Sequence, residues 1–305
     1  MRMPPFNPYF AVVIGVFSVS TSAILVKLAG GAPASIIANY RLLFAVLIMS
    51  PIILLYYRHE FKQIQKKDWI LAMFAGIFLA FHFILWFESL NYTSVASSVV
   101  LVTLQPIFAF LGTYFFFNER FTPGAVISMV IALFGSLIIS WGDFQISGLA
   151  LLGDILALLG AMMVTAYFLI GQNIRRRLSL MTYTFVVYGI SSITLIVYNL
   201  ILGYSFVGYP VSYWWIFLTL AIVPTFLGHT MFNWALKWLS TSTISMATVL
   251  EPIGATLLAY FILGETVTWA QWLGGTVVLF GLFLFIMSTT KKRKVTISQT
   301  KKDMT

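Results

Sequence analysis

Residues 240–265 read STSTISMATVLEPIGATLLAYFILGE, an apolar stretch with Glu251 and Pro252 near its middle. The proline has no N–H to donate within a helix, and its ring opposes the carbonyl four residues earlier. The pair therefore places a carboxyl group beside loosened backbone at about the middle of a membrane. An ionisable side chain is costly at that depth, so it usually faces other helices or water.

The same pattern occurs once before, at residues 94–119, which read SVASSVVLVTLQPIFAFLGTYFFFNE. Gln105-Pro106 aligns with Glu251-Pro252 at an offset of 146 residues. The same offset relates Ser94 to Ser240, Leu111 to Leu257, Tyr114 to Tyr260, Glu119 to Glu265 and Gly135 to Gly281. A constant offset without gaps indicates an internal duplication. Paired proline-interrupted segments in two halves of a chain point to the binding site of a transporter.

The composition is that of an integral membrane protein. Of the 305 residues, 60% are hydrophobic and 9% are charged, and the mean hydropathy is +0.95, whereas soluble domains carry about 25% charged residues. In a membrane protein, the meaning of a net charge of +9 depends on where the basic residues lie relative to the membrane. The basic total therefore does not indicate nucleic-acid binding, and we predict no nucleic-acid partner. The chain has no cysteine, which excludes disulfides and thiolate metal sites. The first apolar run lacks a clear cleavage site and is interpreted as a retained helix.

Ten apolar segments are each close to the ~20 residues that a membrane-spanning helix needs. They are 9–28, 35–57, 69–90, 94–117, 123–141, 148–171, 179–202, 213–236, 241–263 and 268–288. Short breaks with turn residues, such as Gly142-Asp143, separate them. The sequence therefore predicts an all-α polytopic membrane protein with ten transmembrane helices.

The basic residues predict how these helices are oriented. All but two of the 18 lysines and arginines lie in the termini, in the breaks that follow even-numbered helices, or at the end of the eighth helix, and the other breaks contain none. The positive-inside rule makes the basic side cytoplasmic, together with both termini. Because five is odd, helices 6–10 are inverted relative to helices 1–5, which is a recurring plan of transporters.

This organisation divides the chain into three parts. We predict a first five-helix repeat at 1–145, a second, inverted repeat at 146–289, and a basic cytoplasmic tail at 290–305 that is disordered near anionic lipid. The expected location is the cytoplasmic membrane of a bacterium, and the expected state is a monomer or a homodimer.

Two stretches carry a resemblance to a known family. They are LQPIFAFLGTYFFFNERFTPGAVISMVIALFGSLII at 104–139 and LEPIGATLLAYFILGETVTWAQWLGGTVVLFGLFLF at 250–285. With Pro33, Arg41 and Gly153-Asp154, they resemble the EamA-type transporters of the drug/metabolite transporter superfamily over about residues 8–288. The resemblance implies a ten-helix carrier with a central cavity lined mainly by helices 1, 3, 4, 6, 8 and 9. Members of this family move amino acids, other small metabolites and drugs, often outward.

Glu251 is the sharpest candidate for substrate binding. Its carboxyl group could bind a substrate amine or carry a coupling proton, or it could instead bond to backbone freed by Pro252. Gln105 would be its uncharged counterpart, with an amide that donates and accepts. The alternative for Gln105 is to satisfy carbonyls freed by Pro106.

The third and eighth helices carry His82 and His229, which are related by an offset of 147 and are therefore not strict repeat mates. Each could relay a proton or bind substrate, because histidine titrates near neutral pH, or each could simply be packed. No third ligand accompanies them, so no metal site is predicted. Trp86 offers an aromatic platform one turn beyond His82, or belongs to the outer interfacial belt. Asn233 extends the polar stripe of the eighth helix.

Charged side chains lie towards the outer ends of four helices, namely Lys27, Arg41, Glu88 and Asp154. We expect them to snorkel or to form salt bridges that close the outer side. Arg41 with Asn39 could also bind a substrate carboxylate. Thr21, within the polar stretch 18–22, suits a cavity wall and close helix packing equally.

The predicted function is secondary transport of small organic metabolites, as an exporter of amino acids or related compounds that works by alternating access. A multidrug or other metabolite carrier of the same fold is the alternative. A channel would need a pore-lining charge ring, and an enzyme would need a nucleophile–base pair or metal set. The sequence shows none of these, so no catalytic residue and no cofactor is predicted. It also lacks a GxxxxGK[ST] loop, so this chain does not use ATP.

Overall fold

The computed structural model describes residues 4–93, 95–139, 141, 148–264 and 266–302, with side chains omitted at 96, 148, 259, 263 and 289–302. Some predicted features lie outside the described residues, namely Arg2, Ser94, the break at Gly142-Asp143 and Glu265. The repeat pairs Ser94–Ser240 and Glu119–Glu265 therefore stay predictions.

The described residues form ten apolar helices and no strand. The helices are α1 (Pro8–Val19 and Ser22–Leu28), α2 (Ala34–Ile52, continued by Ile53–Tyr57), α3 (Lys66–Ser89), α4 (Val95–Val102 and Gln105–Phe117), α5 (Pro123–Ile139), α6 (Gly148–Ile174), α7 (Leu180–Ile201), α8 (Val211–Leu220, Ala221–Thr230 and Met231–Ala235), α9 (Thr241–Thr248, Glu251–Leu258 and Ala259–Leu263) and α10 (Trp269–Lys302). Within the described part, nine of them are long and apolar enough to cross a membrane, and α5 is slightly shorter. The predicted all-α polytopic fold is confirmed.

The last helix differs from its predicted extent. α10 continues to Lys302, whereas the sequence predicts an end at residue 288 and a disordered tail beyond it. Residues 282–302 contain no glycine or proline, the residues that most strongly end a helix. The backbone therefore remains helical through the basic stretch.

The duplication is visible in the backbone of α4 and α9. Each helix breaks in its middle, and the second segments begin at Gln105 and Glu251, which the offset of 146 relates. A proline stands at the second position of each new segment, where its missing N–H removes no occupied hydrogen bond. The break therefore presents a polar side chain at the start of the second segment of each helix.

The packing of the helices follows the repeat. α3 packs against α6 and α1 packs against α8, while α2, α4 and α5 pack against α7, α9 and α10. Exchanging helices 1–5 for helices 6–10 maps this set of contacts onto itself, as two inverted repeats require. Small residues bring α5 and α10 into backbone contact, since a Cβ built at Gly135 would lie 2.7 Å from the nitrogen of Val278.

Cysteine labelling would test the orientation. A cysteine at Gln65, in the basic break before α3, is expected to stay unlabelled by an impermeant reagent in intact cells, because the positive-inside rule places it in the cytoplasm. A cysteine at Ser205, exposed between α7 and α8, should react. The parent has no cysteine, so each signal has one source. Labelling at Gln65 or Ser298 from outside would contradict the predicted topology.

Candidate functional site

A small cavity lies among α1, α3, α4, α6, α8 and α9, the six helices that the resemblance implies. Its polar lining comes from His82, Trp86, Gln105, Thr248, His229 and Glu251, and its apolar lining comes from Val19, Val102, Val164, Phe168 and Phe232. The cavity measures about 20 Å³, which is room for about one water molecule. The structure thus brings together five of the predicted site residues in a closed conformation.

Several polar atoms of this lining have no protein partner. Within the described residues, Trp86 Nε1, Gln105 Oε1 and His229 Nδ1 are buried without a hydrogen bond. Buried polar groups are usually paired, because leaving one unpaired costs free energy. Unpaired donors and acceptors around one cavity are therefore available to a ligand or to water.

His82 has a defined orientation in the cavity wall. Its Nδ1 lies 2.9 Å from the carbonyl oxygen of Gly160. A carbonyl can only accept, so Nδ1 carries the hydrogen, and Nε2 is the acceptor of a neutral ring. The imidazole stacks on Trp86, with ring centroids 5.5 Å apart. Trp86 is 3% exposed, which excludes the interfacial-belt interpretation.

The offset between the two histidines has a structural explanation. Residues Ala221–Thr230 of α8 form a π-helix that contains Pro224. A π-helical turn takes more residues than an α-helical one, so the register of α8 shifts relative to α3. His229 thereby faces His82 across the cavity, with ring centroids 6.1 Å apart. The two histidines are offset by 147 residues and so are not strict repeat mates, yet both line the same cavity.

Arg41 corrects another expectation. It is fully buried and does not snorkel to the outer surface. Its Nε donates to Thr225 Oγ1 at 2.8 Å, its Nη1 donates to Ser22 Oγ at 3.2 Å, and the guanidinium lies 4.3 Å from the ring centroid of Phe83. These hydroxyls and the ring face hold the cation in the interior. Arg41 also interacts electrostatically with Glu251, which partly compensates the buried carboxyl group.

Three other predicted residues do not line the cavity. Asn233 donates to Tyr167 Oη and to the carbonyl of His229. Asn39 accepts from Ser192 at 3.2 Å, between α2 and α7. Thr21 donates to the carbonyl of Ser18 at 2.7 Å, where α1 is interrupted. In this conformation these side chains form hydrogen bonds within and between the helices that surround the cavity.

A buried tyrosine cluster was missed by sequence reasoning. Tyr167, Tyr183 and Tyr188 are fully buried between α6, α7 and α8, and Tyr188 Oη lies 2.9 Å from Thr230 Oγ1. The sequence does contain an indication of this cluster. Tyrosines of membrane proteins favour the helix ends at the interface, so a tyrosine in the middle of a helix is unusual. Tyr167 and Tyr188 stand well inside their helices, where each hydroxyl needs a partner.

Polar contacts close the protein on both sides of the cavity. On the predicted cytoplasmic side, the carboxylate of Glu119 accepts hydrogen bonds from Ser240 at 3.1 Å and from Ser242 at 3.0 Å, which joins the end of α4 to the start of α9. On the outer side, Lys27 donates to the carbonyl of Leu90 at 2.5 Å, joining α1 to the end of α3. For Lys27, the expected role in closing the outer side agrees with this contact.

The fold and the cavity define a multi-pass membrane transporter. The model of the EamA-like transporter family matches residues 7–141 and 151–287. The chain therefore belongs to the EamA-like transporter family, and each half of it matches the family separately.

Similar proteins agree with this assignment. The "Uncharacterized transporter YxxF" of Bacillus subtilis is 28% identical over 245 residues, which cover 80% of this chain and 78% of that protein. An "Uncharacterized transporter" of Archaeoglobus fulgidus is 23% identical over 277 residues, covering 90% and 94%. A crystal structure with 18% identity has a TM-score of 0.75 and covers 92% of this chain and 98% of that chain, which shows the shared fold.

Proposed function

We propose that this transporter is a secondary carrier that exports small organic metabolites, amino acids or related compounds, by alternating access through the central cavity. The observation that carries the proposal is the convergence of Glu251 and Gln105, at the breaks of two repeat-related helices, with unpaired polar atoms of Trp86 and His229. Half-helix ends at mid-membrane are the recurring substrate sites of such carriers.

The small volume of the cavity favours a binding site that opens only when the helices move. About 20 Å³ is far below the ~300–1,000 Å³ of sites that hold small organic ligands. Substrate can bind only after the surrounding helices separate. The breaks at 103–104 and 249–250 let the two halves of α4 and α9 change their angle without breaking a regular hydrogen-bond ladder. In the proposed cycle these breaks act as hinges.

The chemistry of the lining favours an amino acid. Glu251 can take an amine or a coupling proton, and Arg41, which interacts with it electrostatically, has a buried Nη2 without a partner in the described structure. A substrate carboxylate could bind there once helix separation exposes the guanidinium. Trp86 and Phe232 would pack against an apolar side chain. The same aromatic surface favours lipophilic cations as a second candidate class.

Flux measurements test this proposal. Purified protein in liposomes is expected to exchange labelled amino acids with saturable kinetics, because a carrier binds its substrate in every cycle. Lipophilic cations and neutral metabolites complete the panel, and empty liposomes give the background. Exchange of lipophilic cations alone would favour the multidrug alternative. Flux that does not saturate would indicate a channel and overturn the carrier assignment.

A further inference from the structure

A second cavity, here called the lateral groove, lies between α3, α4 and α6. It measures about 400 Å³, and its lining is apolar except for Asn173. Phe116, at its edge, is 75% exposed, so the groove opens away from the interior of the bundle. It shares no described lining residue with the central cavity. The groove therefore faces the lipid phase and is separate from the transport site.

The groove and the helical turn below it, down to Lys67, together span about one leaflet. On α3 it begins at Leu71, one turn beyond Lys67, and extends to Phe78. From Leu71 to Phe78 the helix rises by seven residues, or about 10 Å, and the turn down to Lys67 extends this to about 16 Å. The hydrocarbon core is ~30 Å thick, so this is about half of the bilayer. An acyl chain of the leaflet on the predicted cytoplasmic side matches that length.

The rim of the groove is basic. Lys67 is exposed one turn below Leu71 on the same face of α3. Arg176 lies over the ring of Phe117, 5.9 Å from its centroid, and Phe117 lines the groove. Within the described residues, the salt bridge at this rim pairs Arg177 with Asp68 at 2.6 Å and does not include Arg176. Two cations at the interface thus flank an apolar groove.

We propose that the lateral groove binds an anionic phospholipid of the cytoplasmic leaflet. One acyl chain lies between α3, α4 and α6, and the headgroup phosphate contacts Lys67 and Arg176. Charge complementarity selects this occupant, because anionic lipids are enriched in that leaflet and each nearby basic residue strengthens their binding. Basic pockets between transmembrane helices on that side are known to take such headgroups.

Native mass spectrometry of the purified full chain tests the proposal. The protein is titrated with phosphatidylglycerol and, separately, with phosphatidylcholine of the same chain length. We expect phosphatidylglycerol to bind more tightly. The double variant Lys67→Gln/Arg176→Gln should weaken its binding by about 30-fold. The variant Ala166→Phe, which fills the groove without changing charge, should weaken the binding of the lipid as well.

The matched control is Arg58→Gln/Lys62→Gln, which removes the same charge from the same side of the protein away from the groove lining. It should leave binding within about twofold of the parent, because its charges do not contact this headgroup. Equal binding of the two lipids, or an equal loss in the control, would overturn the proposal. Unchanged binding in Ala166→Phe would also overturn it, since the chain would then not occupy the groove. If the double variant fails to fold, the exposed Arg176→Gln change alone carries the test.

Discussion

Replacing Glu251 with glutamine is expected to reduce transport by about 30-fold or more while the folded protein accumulates normally. The substitution keeps the size of the side chain and most of its hydrogen bonding, but it removes the charge and the proton. Arg41 then loses its electrostatic interaction with the carboxyl group. A loss of transport of about 30-fold corresponds to roughly 2 kcal/mol. Initial rates of exchange in liposomes, measured from about pH 6 to about pH 8, check the effect.

A matched change elsewhere separates this effect from the loss of any carboxyl group. Glu60→Gln makes the same substitution in the break before α3, at a carboxylate that accepts from Thr182 Oγ1 and does not line the cavity. It should transport like the parent. If Glu251→Gln also transports nearly as well as the parent across the pH range, Glu251 only satisfies the backbone beside Pro252. The idea of a working carboxyl group in the cavity would then have to be abandoned.

Gly135→Ala is expected to lower the thermal stability of the protein. A Cβ at this position would lie 2.7 Å from the nitrogen of Val278 and 2.8 Å from the carbonyl oxygen of Gly274. Both atoms belong to the backbone of α10 and cannot rotate away, so α5 and α10 must separate. Overpacking of this kind costs ~1–3 kcal/mol. Thermal unfolding of purified protein in detergent, followed by size-exclusion chromatography, measures the loss.

The chain offers an internal control for the same chemical change. A Cβ at Gly189, in α7, would meet no atom within 4 Å. Alanine is also the better helix former, by up to ~1 kcal/mol. Gly189→Ala should therefore leave the melting temperature unchanged or raise it. Equal melting temperatures for the two variants would show that the α5–α10 contact tolerates an added methyl group.

Much of the fold follows from local sequence. Apolar length alone predicts the ten helices, because a bilayer of fixed thickness demands segments of similar length. The two proline pairs predict interruptions in α4 and α9, since a missing N–H acts on its own helix. The placement of Glu251 in a cavity also follows, because a carboxyl group at mid-membrane has few other favourable environments.

The features that sequence reasoning missed depend on distant partners. The burial of Arg41 relies on Thr225, which is 184 residues away in the chain, and on the face of Phe83. Local sequence cannot show such contacts, so an arginine near a helix end resembles a snorkelling one. Pro224 predicts a bend in α8, but a bend is compatible with several backbone forms. The π-helix there decides where His229 points.

The two interrupted helices have a consequence for the energetics of the proposed cycle. If both repeats were chemically identical, exchanging them would convert the conformation open to one side into the conformation open to the other. The two conformations would then have equal free energies. Gln105 and Glu251 occupy related places but differ in charge. A difference of about 1.4 kcal/mol in the environment of that one carboxyl group changes the ratio of the two conformations tenfold. The difference between Gln105 and Glu251 thus contributes to the resting orientation of the empty carrier, whereas the direction of net flow is set by the concentration gradients.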